Sequence, residues 1–82
     1  MATVLAWGKT RVVTYSNDHR PSHVHVIAPG KLAVFWLRCP EGPPDLRGSE
    51  GDRLAELNEV LARLMATLTD LCKQWERIHG NF

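Results

Sequence analysis

Apolar and polar residues repeat with two different periods along this chain, and the period changes near residue 50. Before it, short apolar runs are broken by turn residues every few positions, which predicts strands. Val4-Leu5-Ala6-Trp7 is a short strand candidate, and Gly8-Lys9 reads as a turn. Thr10 to Tyr15 is rich in β-formers, until Asn17-Asp18 begins a turn and Pro21 blocks continuation. Val24 to Ala28 and Lys31 to Leu37 form two further strands around Pro29-Gly30, a pair suited to a type II turn. Such a turn matches the twist of a hairpin poorly, so a longer loop or a bulge is an alternative connection.

If Ala28 faces Lys31, antiparallel counting sets Val26 against Ala33, Val24 against Phe35, His25 against Val34 and His23 against Trp36. One face then carries Val24, Val26, Ala33, Phe35 and Leu37, and the other His23, His25, Leu32, Val34 and Trp36. The apolar face can pack on a helix. The histidine face would be half-covered, by the N-terminal strands or by another subunit.

After residue 51 the pattern is helical. Leu54, Leu57, Leu61, Leu64, Leu68, Leu71, Trp75 and Ile78 step alternately by three and four, with Met65 and Cys72 widening the stripe. Ser49 with Asp52 resembles a capping box, Glu59 and Arg63 stand in the favourable order, and Gly80 is a stop. An unbroken helix from Arg53 to His79 would be about 40 Å long. Thr67 and Thr69 weaken its middle, so a break into two helices is an alternative. The stripe exceeds what a small sheet covers, which points to a homo-oligomer or a small protein partner docking on Leu57, Leu61, Leu64, Leu68, Leu71 and Trp75. The expected fold is α+β: a small antiparallel sheet of three to four strands on one long C-terminal helix. Residues 1–82 form one domain, divided into a sheet half (1–38), a linker with three prolines and three glycines (39–51) and a helical half (52–80).

Composition narrows the function classes. The 82 residues are 44% hydrophobic with a net charge of +1, which fits a folded domain and argues against broad contact with nucleic-acid phosphates. Charge is nevertheless uneven. Lys9, Arg11, Arg20, Lys31 and Arg38 make the first half basic, and residues 45–59 are acidic on balance. Cys39 and Cys72 lie far apart outside any paired motif and read as buried, reduced cysteines of a cytoplasmic protein. No run has the length of a signal peptide or membrane span.

The candidate chemistry lies in Tyr15-Ser16-Asn17-Asp18-His19-Arg20-Pro21-Ser22-His23-Val24-His25, which holds three of the four histidines. His23 and His25 share one strand face. With His19 and Asp18 they make a candidate site for a divalent transition metal, although the spacing matches no established metal signature. Without a metal, His19, His23 and His25 could serve as general acid and base, with Arg20 or Arg11 stabilising anionic charge and Tyr15 positioning substrate. The structural alternative has His23 stacked on Trp36, His19 holding its turn, His79 as an ordinary late-helix residue, and Trp7, Trp36 and Trp75 as core. No glycine-rich phosphate loop and no helix-turn-helix is present.

Tyr15-Ser16-Asn17-Asp18-His19, Pro21-Ser22-His23-Val24-His25-Val26, Ala33-Val34-Phe35 and Trp75-Glu76-Arg77-Ile78-His79-Gly80 together resemble the bacterial family known as domain of unknown function 4160. The resemblance spans roughly residues 3–80. Ser22 and Val24 replace the family's usual second proline and aromatic residue, while the histidines remain. It implies a cytoplasmic protein beside a second small protein, in pairs suggested to be toxin–antitoxin modules. The leading expectation is therefore a protein-interaction module, one component of such a pair. The alternative is a histidine-dependent nuclease, metal-free or metal-assisted.

Overall fold

In the computed structural model, which describes Met1–Phe82, the sheet half is an antiparallel meander. Strands β1 (Ala2–Trp7), β2 (Thr10–Thr14), β3 (His23–Ala28), β4 (Lys31–Trp36) and β5 (Asp45–Glu50) lie side by side in chain order. Helices α1 (Leu54–Ala66) and α2 (Leu68–His79) follow. The architecture is α+β as expected, but with five strands instead of three to four.

The β3–β4 hairpin has the register that counting from the turn predicts. Ala28 faces Lys31, Val26 faces Ala33, Val24 faces Phe35, His25 faces Val34 and His23 faces Trp36. The two-residue Pro29-Gly30 connection suffices, with Gly30 at φ 71°. Val24, Val26, Ala33, Phe35 and Leu37 are all buried. They join Val12 and, from the helices, Val60, Leu64, Leu68, Leu71 and Cys72 in one core.

The fifth strand occupies most of the segment expected to be a linker. Every residue of β5 is exposed, so no apolar alternation marks it in the sequence. Backbone pairing to β4 holds it, from Leu32 opposite Glu50 to Trp36 opposite Asp45. An exposed, charged edge strand of this kind resists pairing with other chains. Gly51, at φ 81°, turns the chain from β5 toward the helices, and a Cβ there would collide with the Gly30 carbonyl.

The helical half is broken. Thr67 adopts φ −117° and ψ 13°, and its hydroxyl donates to the Arg63 carbonyl at 2.9 Å. Local hydrogen bonding of this kind is why threonine is a weak helix former. The longest dimension of the molecule is 33 Å, less than an unbroken helix would need. The break lets both helices lie on their own sheet, so the length argument for a second subunit lapses. Leu64, Leu68, Leu71 and Trp75 are buried within the chain, and Leu57 and Leu61 pack against the core. The stripe expected to be an interface is therefore mainly buried within the chain's own fold. The start of α1 is capped by Glu56, whose carboxylate accepts from the Arg53 N–H at 2.9 Å and pairs with Lys31 on β4. Ser49, expected in the cap, lies in β5. Gly80 ends α2 as expected. Neither helix is long and apolar enough to cross a membrane.

Cys39 and Cys72 form a disulfide, with Cα atoms 5.7 Å apart. This corrects the expectation of two reduced thiols, and the argument for a reducing compartment that rested on it. Separation in sequence concealed their proximity. Cys39 follows the end of β4, while Cys72 shares the core-facing side of α2 with Leu68 and Leu71.

Two outcomes test this packing. Leu64→Ala should destabilise the fold by about 2–5 kcal/mol in denaturant melts, whereas Leu54→Ala, at a side chain 73% exposed, should change it by no more than about 0.5 kcal/mol. Under non-reducing denaturation, alkylation should find no free thiol. Reduction should free two and lower stability by roughly 3–4 kcal/mol, the chain-entropy value for a loop of this length.

Candidate functional site

The period of β3 that sends Val24 and Val26 into the core sends His23 and His25 to the opposite face. His23 is 6% exposed, and His25 is half-buried. The turn before β3 brings Asp18 to them. The Asp18 N–H donates to the Tyr15 carbonyl at 3.0 Å, closing the turn. The Tyr15 N–H and the Thr14 hydroxyl donate to Asp18 Oδ2 at 3.0 and 3.3 Å. The same oxygen lies 3.6 Å from His23 Nε2 and 3.5 Å from His25 Nε2. Asp18, His23 and His25 thus present one donor atom each, all within 4.8 Å of one another.

The protonation pattern of this trio is constrained. His23 Nδ1 lies 2.9 Å from the Pro21 carbonyl. A carbonyl oxygen only accepts, so Nδ1 carries the proton, and in the neutral ring Nε2 is a bare lone pair. Nε2 faces the Asp18 carboxylate, as an ion-pair donor when the ring is protonated and as a free ligand atom when it is neutral. His25 Nε2 is shielded from solvent and has no hydrogen-bond partner. Burial alone would raise the Asp18 carboxyl. The Tyr15 N–H, the two nearby imidazoles and the Thr14 hydroxyl outweigh it and hold the group below its ordinary range. The site therefore gathers a stabilised anion and two imidazole nitrogens around a point that only a cation or a proton can satisfy.

Aromatic side chains fix the rings. His23 meets Trp36 edge-on at 5.7 Å and Trp75 of α2 at 5.3 Å, and Tyr15 meets His25 edge-on at 5.0 Å. The expected contact of His23 with Trp36 is present, as an edge contact. Trp75 stacks on His79 at 3.6 Å, and His79 Nε2 lies 2.9 Å from the Tyr15 carbonyl oxygen. His79 is thus a strut between the end of α2 and the site's turn, a role that helix position alone does not suggest.

Outside the trio lies a cleft of about 330 Å³ lined by Asn17, Asp18, His19, Arg20, His23, His25, Trp36 and Arg47. The structure thus gathers Asp18, His19, Arg20, His23 and His25 as the sequence suggested, with differences of role. His19 is exposed on the cleft wall and stands outside the three-residue donor cluster. Tyr15 supports Asp18 and His25 without lining the cleft, and Arg11 does not line it either. Arg47 was not foreseen, and Trp36 was expected against His23 but not as a wall of the cleft. Trp36 reads as core from its strand, and Arg47 falls in a segment with no strand signal.

The chain belongs to the family described as "Domain of unknown function (DUF4160)", whose match covers residues 10–76 and so includes every residue of the cleft. No curated protein and no solved structure matches it.

Because Asp18 is held below its usual range, its ionised form stabilises the fold at any pH above the unfolded carboxyl value. That contribution disappears as pH falls through the lower, folded value. Asp18→Asn should therefore be less stable than the parent at pH 7, and urea melts taken well below about pH 4 should find the gap narrowed. A gap that does not change with pH would contradict the ionised role.

Proposed function

We propose that the domain binds one divalent transition-metal ion through Asp18, His23 and His25 and uses it in a hydrolytic reaction. The observation that carries this reading is the Nε2 of His23 directed at the Asp18 carboxylate, with its other ring nitrogen committed to a backbone carbonyl. Metal-binding histidines characteristically donate their second N–H to such a carbonyl, which fixes the tautomer and aims the free nitrogen. Two of the three donor separations also fit, and all three atoms lie within 4.8 Å of one another. Four ligands at about 2.05 Å in a tetrahedron stand roughly 3.3 Å apart, close to the 3.5 and 3.6 Å between Asp18 Oδ2 and the two imidazoles. The unpartnered Nε2 of His25 would gain a partner by the same event.

Three protein ligands leave a coordination position free, the arrangement of catalytic rather than structural sites. A divalent ion held by Asp18, His23 and His25 would supply Lewis-acid chemistry there. In this reading His19, exposed on the cleft wall, would exchange a proton with a leaving group. A metal-assisted, histidine-dependent nuclease is one form of this reading. A paired module with a protein partner is the second reading. Support for it comes from Leu54 and Met65, 73% and 52% exposed, which stand three turns apart along one side of α1. A partner would meet these residues, not the buried stripe.

Cobalt titration tests the metal. The parent should take up one ion per chain with visible ligand-field bands of a nitrogen-ligated site. His25→Ala and Asp18→Ala should lose the bands while keeping the far-ultraviolet dichroism of the fold, and His19→Ala should keep them. Equal uptake by a His23→Ala/His25→Ala double variant would overturn the assignment.

A further inference from the structure

Arg47 stands at an irregularity of the sheet. Along β4–β5 the pairing passes from Val34 opposite Gly48 directly to Phe35 opposite Leu46, leaving Arg47 as the extra residue. A bulge of this kind re-aims the side chain at the extra position, and bulges concentrate beside functional sites. Here the guanidinium lies over the Trp36 ring at 5.1 Å and on the wall of the cleft that holds the Asp18, His23 and His25 trio. Arg20 reaches the same cleft from the turn before β3.

Neither arginine has a carboxylate partner within the fold. Lys31 pairs with Glu56, Arg38 with Asp45 and Arg63 with Glu59. Asp45 is only two residues from Arg47, yet it is committed to Arg38 at 3.0 Å. Asp18 is the only acid in the cleft, and its Oδ2 is already shared among Tyr15, Thr14 and the two imidazoles. Two free guanidinium groups and an exposed imidazole therefore face a cavity whose one negative charge is occupied.

We infer that Arg47 and Arg20 bind the phosphate group of a compact phosphate ester in this cleft, with Arg47 as the specificity-determining residue. The inference rests on the metal reading only for the fate of that ester, since binding of the anion can be measured apart. Guanidinium forks match the tetrahedral oxygens of phosphate and form charge-assisted hydrogen bonds to them. A cleft of about 330 Å³ falls at the small end of the range of small-molecule sites. A long nucleic-acid backbone would need many more cations than a chain of net charge +1 provides in one place. In this arrangement the bulge carries the phosphate grip on β5, the turn carries the second cation, and β3 presents the reactive cluster beneath them.

Phenyl phosphate is the probe, titrated into the full chain with and without cobalt and followed by the indole N–H resonance of Trp36, identified with Trp36→Phe. Binding at the cleft should draw Arg47 from the ring and shift that resonance to saturation in the parent. Arg47→Gln should weaken binding about tenfold to a hundredfold, the usual effect of losing a hydrogen bond to a charged group. The same variant should still take up one cobalt ion per chain. An equal phenyl phosphate affinity in Arg47→Gln would overturn the inference. Benzoate binding as tightly as phenyl phosphate would overturn the phosphate assignment, and tighter binding of an oligonucleotide would overturn the compact substrate. Saturable phenyl phosphate binding in a chain that takes up no cobalt would uphold the anion site while the metal reading fails.

Discussion

The β3–β4 register is the constraint on which the rest of this structure depends. Side chains alternate with a period of two, so one register decides both faces of the strand at once. With Ala28 opposite Lys31, Val24 and Val26 enter the core, and His23 and His25 turn toward Asp18. A slip by one residue would bury the histidines among leucines and expose the valines. The hydrophobic effect that holds the sheet on its helices therefore also holds the histidines in position. The candidate centre needs no separate scaffold.

The turn before β3 adds the charge. Asp18 is held from behind by the Tyr15 N–H and the Thr14 hydroxyl, so its Oδ2 is aimed at the imidazoles before any ligand arrives. A carboxylate fixed in this way loses little conformational freedom when it binds, which favours a preformed site. Trp36 and Trp75 close around His23 from β4 and α2, and His79 ties the end of α2 to the same turn. The helical half thus contributes to the site indirectly, through Trp75 and His79.

Leucines 64, 68 and 71 illustrate how far periodicity reaches. Their spacing identifies an apolar helical face correctly, but it is silent on what covers that face. A core of one chain and a seam between two chains demand the same pattern. In this chain the break at Thr67 lets two short helices fit over a five-stranded sheet where one long rod would not, and Leu64, Leu68 and Leu71 are buried there. The Asp45–Glu50 strand shows the opposite limit. Its residues carry no β pattern, and backbone pairing to β4 is what holds it.

Local order along the chain determined a good deal about this protein. Turn residues and alternation were enough for the first four strands, for the hairpin register, for the apolar face of the helices and for the grouping of His23, His25 and Asp18 near one another. These features are legible because each arises from neighbours in sequence. Tertiary structure decided the rest. It joined Cys39 to Cys72, added β5 to the sheet edge, brought Arg47 over Trp36 and assigned the leucine stripe to the chain's own core. It also separated His19 from the trio, because a residue on an exposed turn is aimed by the whole loop and not by strand alternation. Each of these depends on contacts between residues distant along the chain, for which composition and spacing carry no signal.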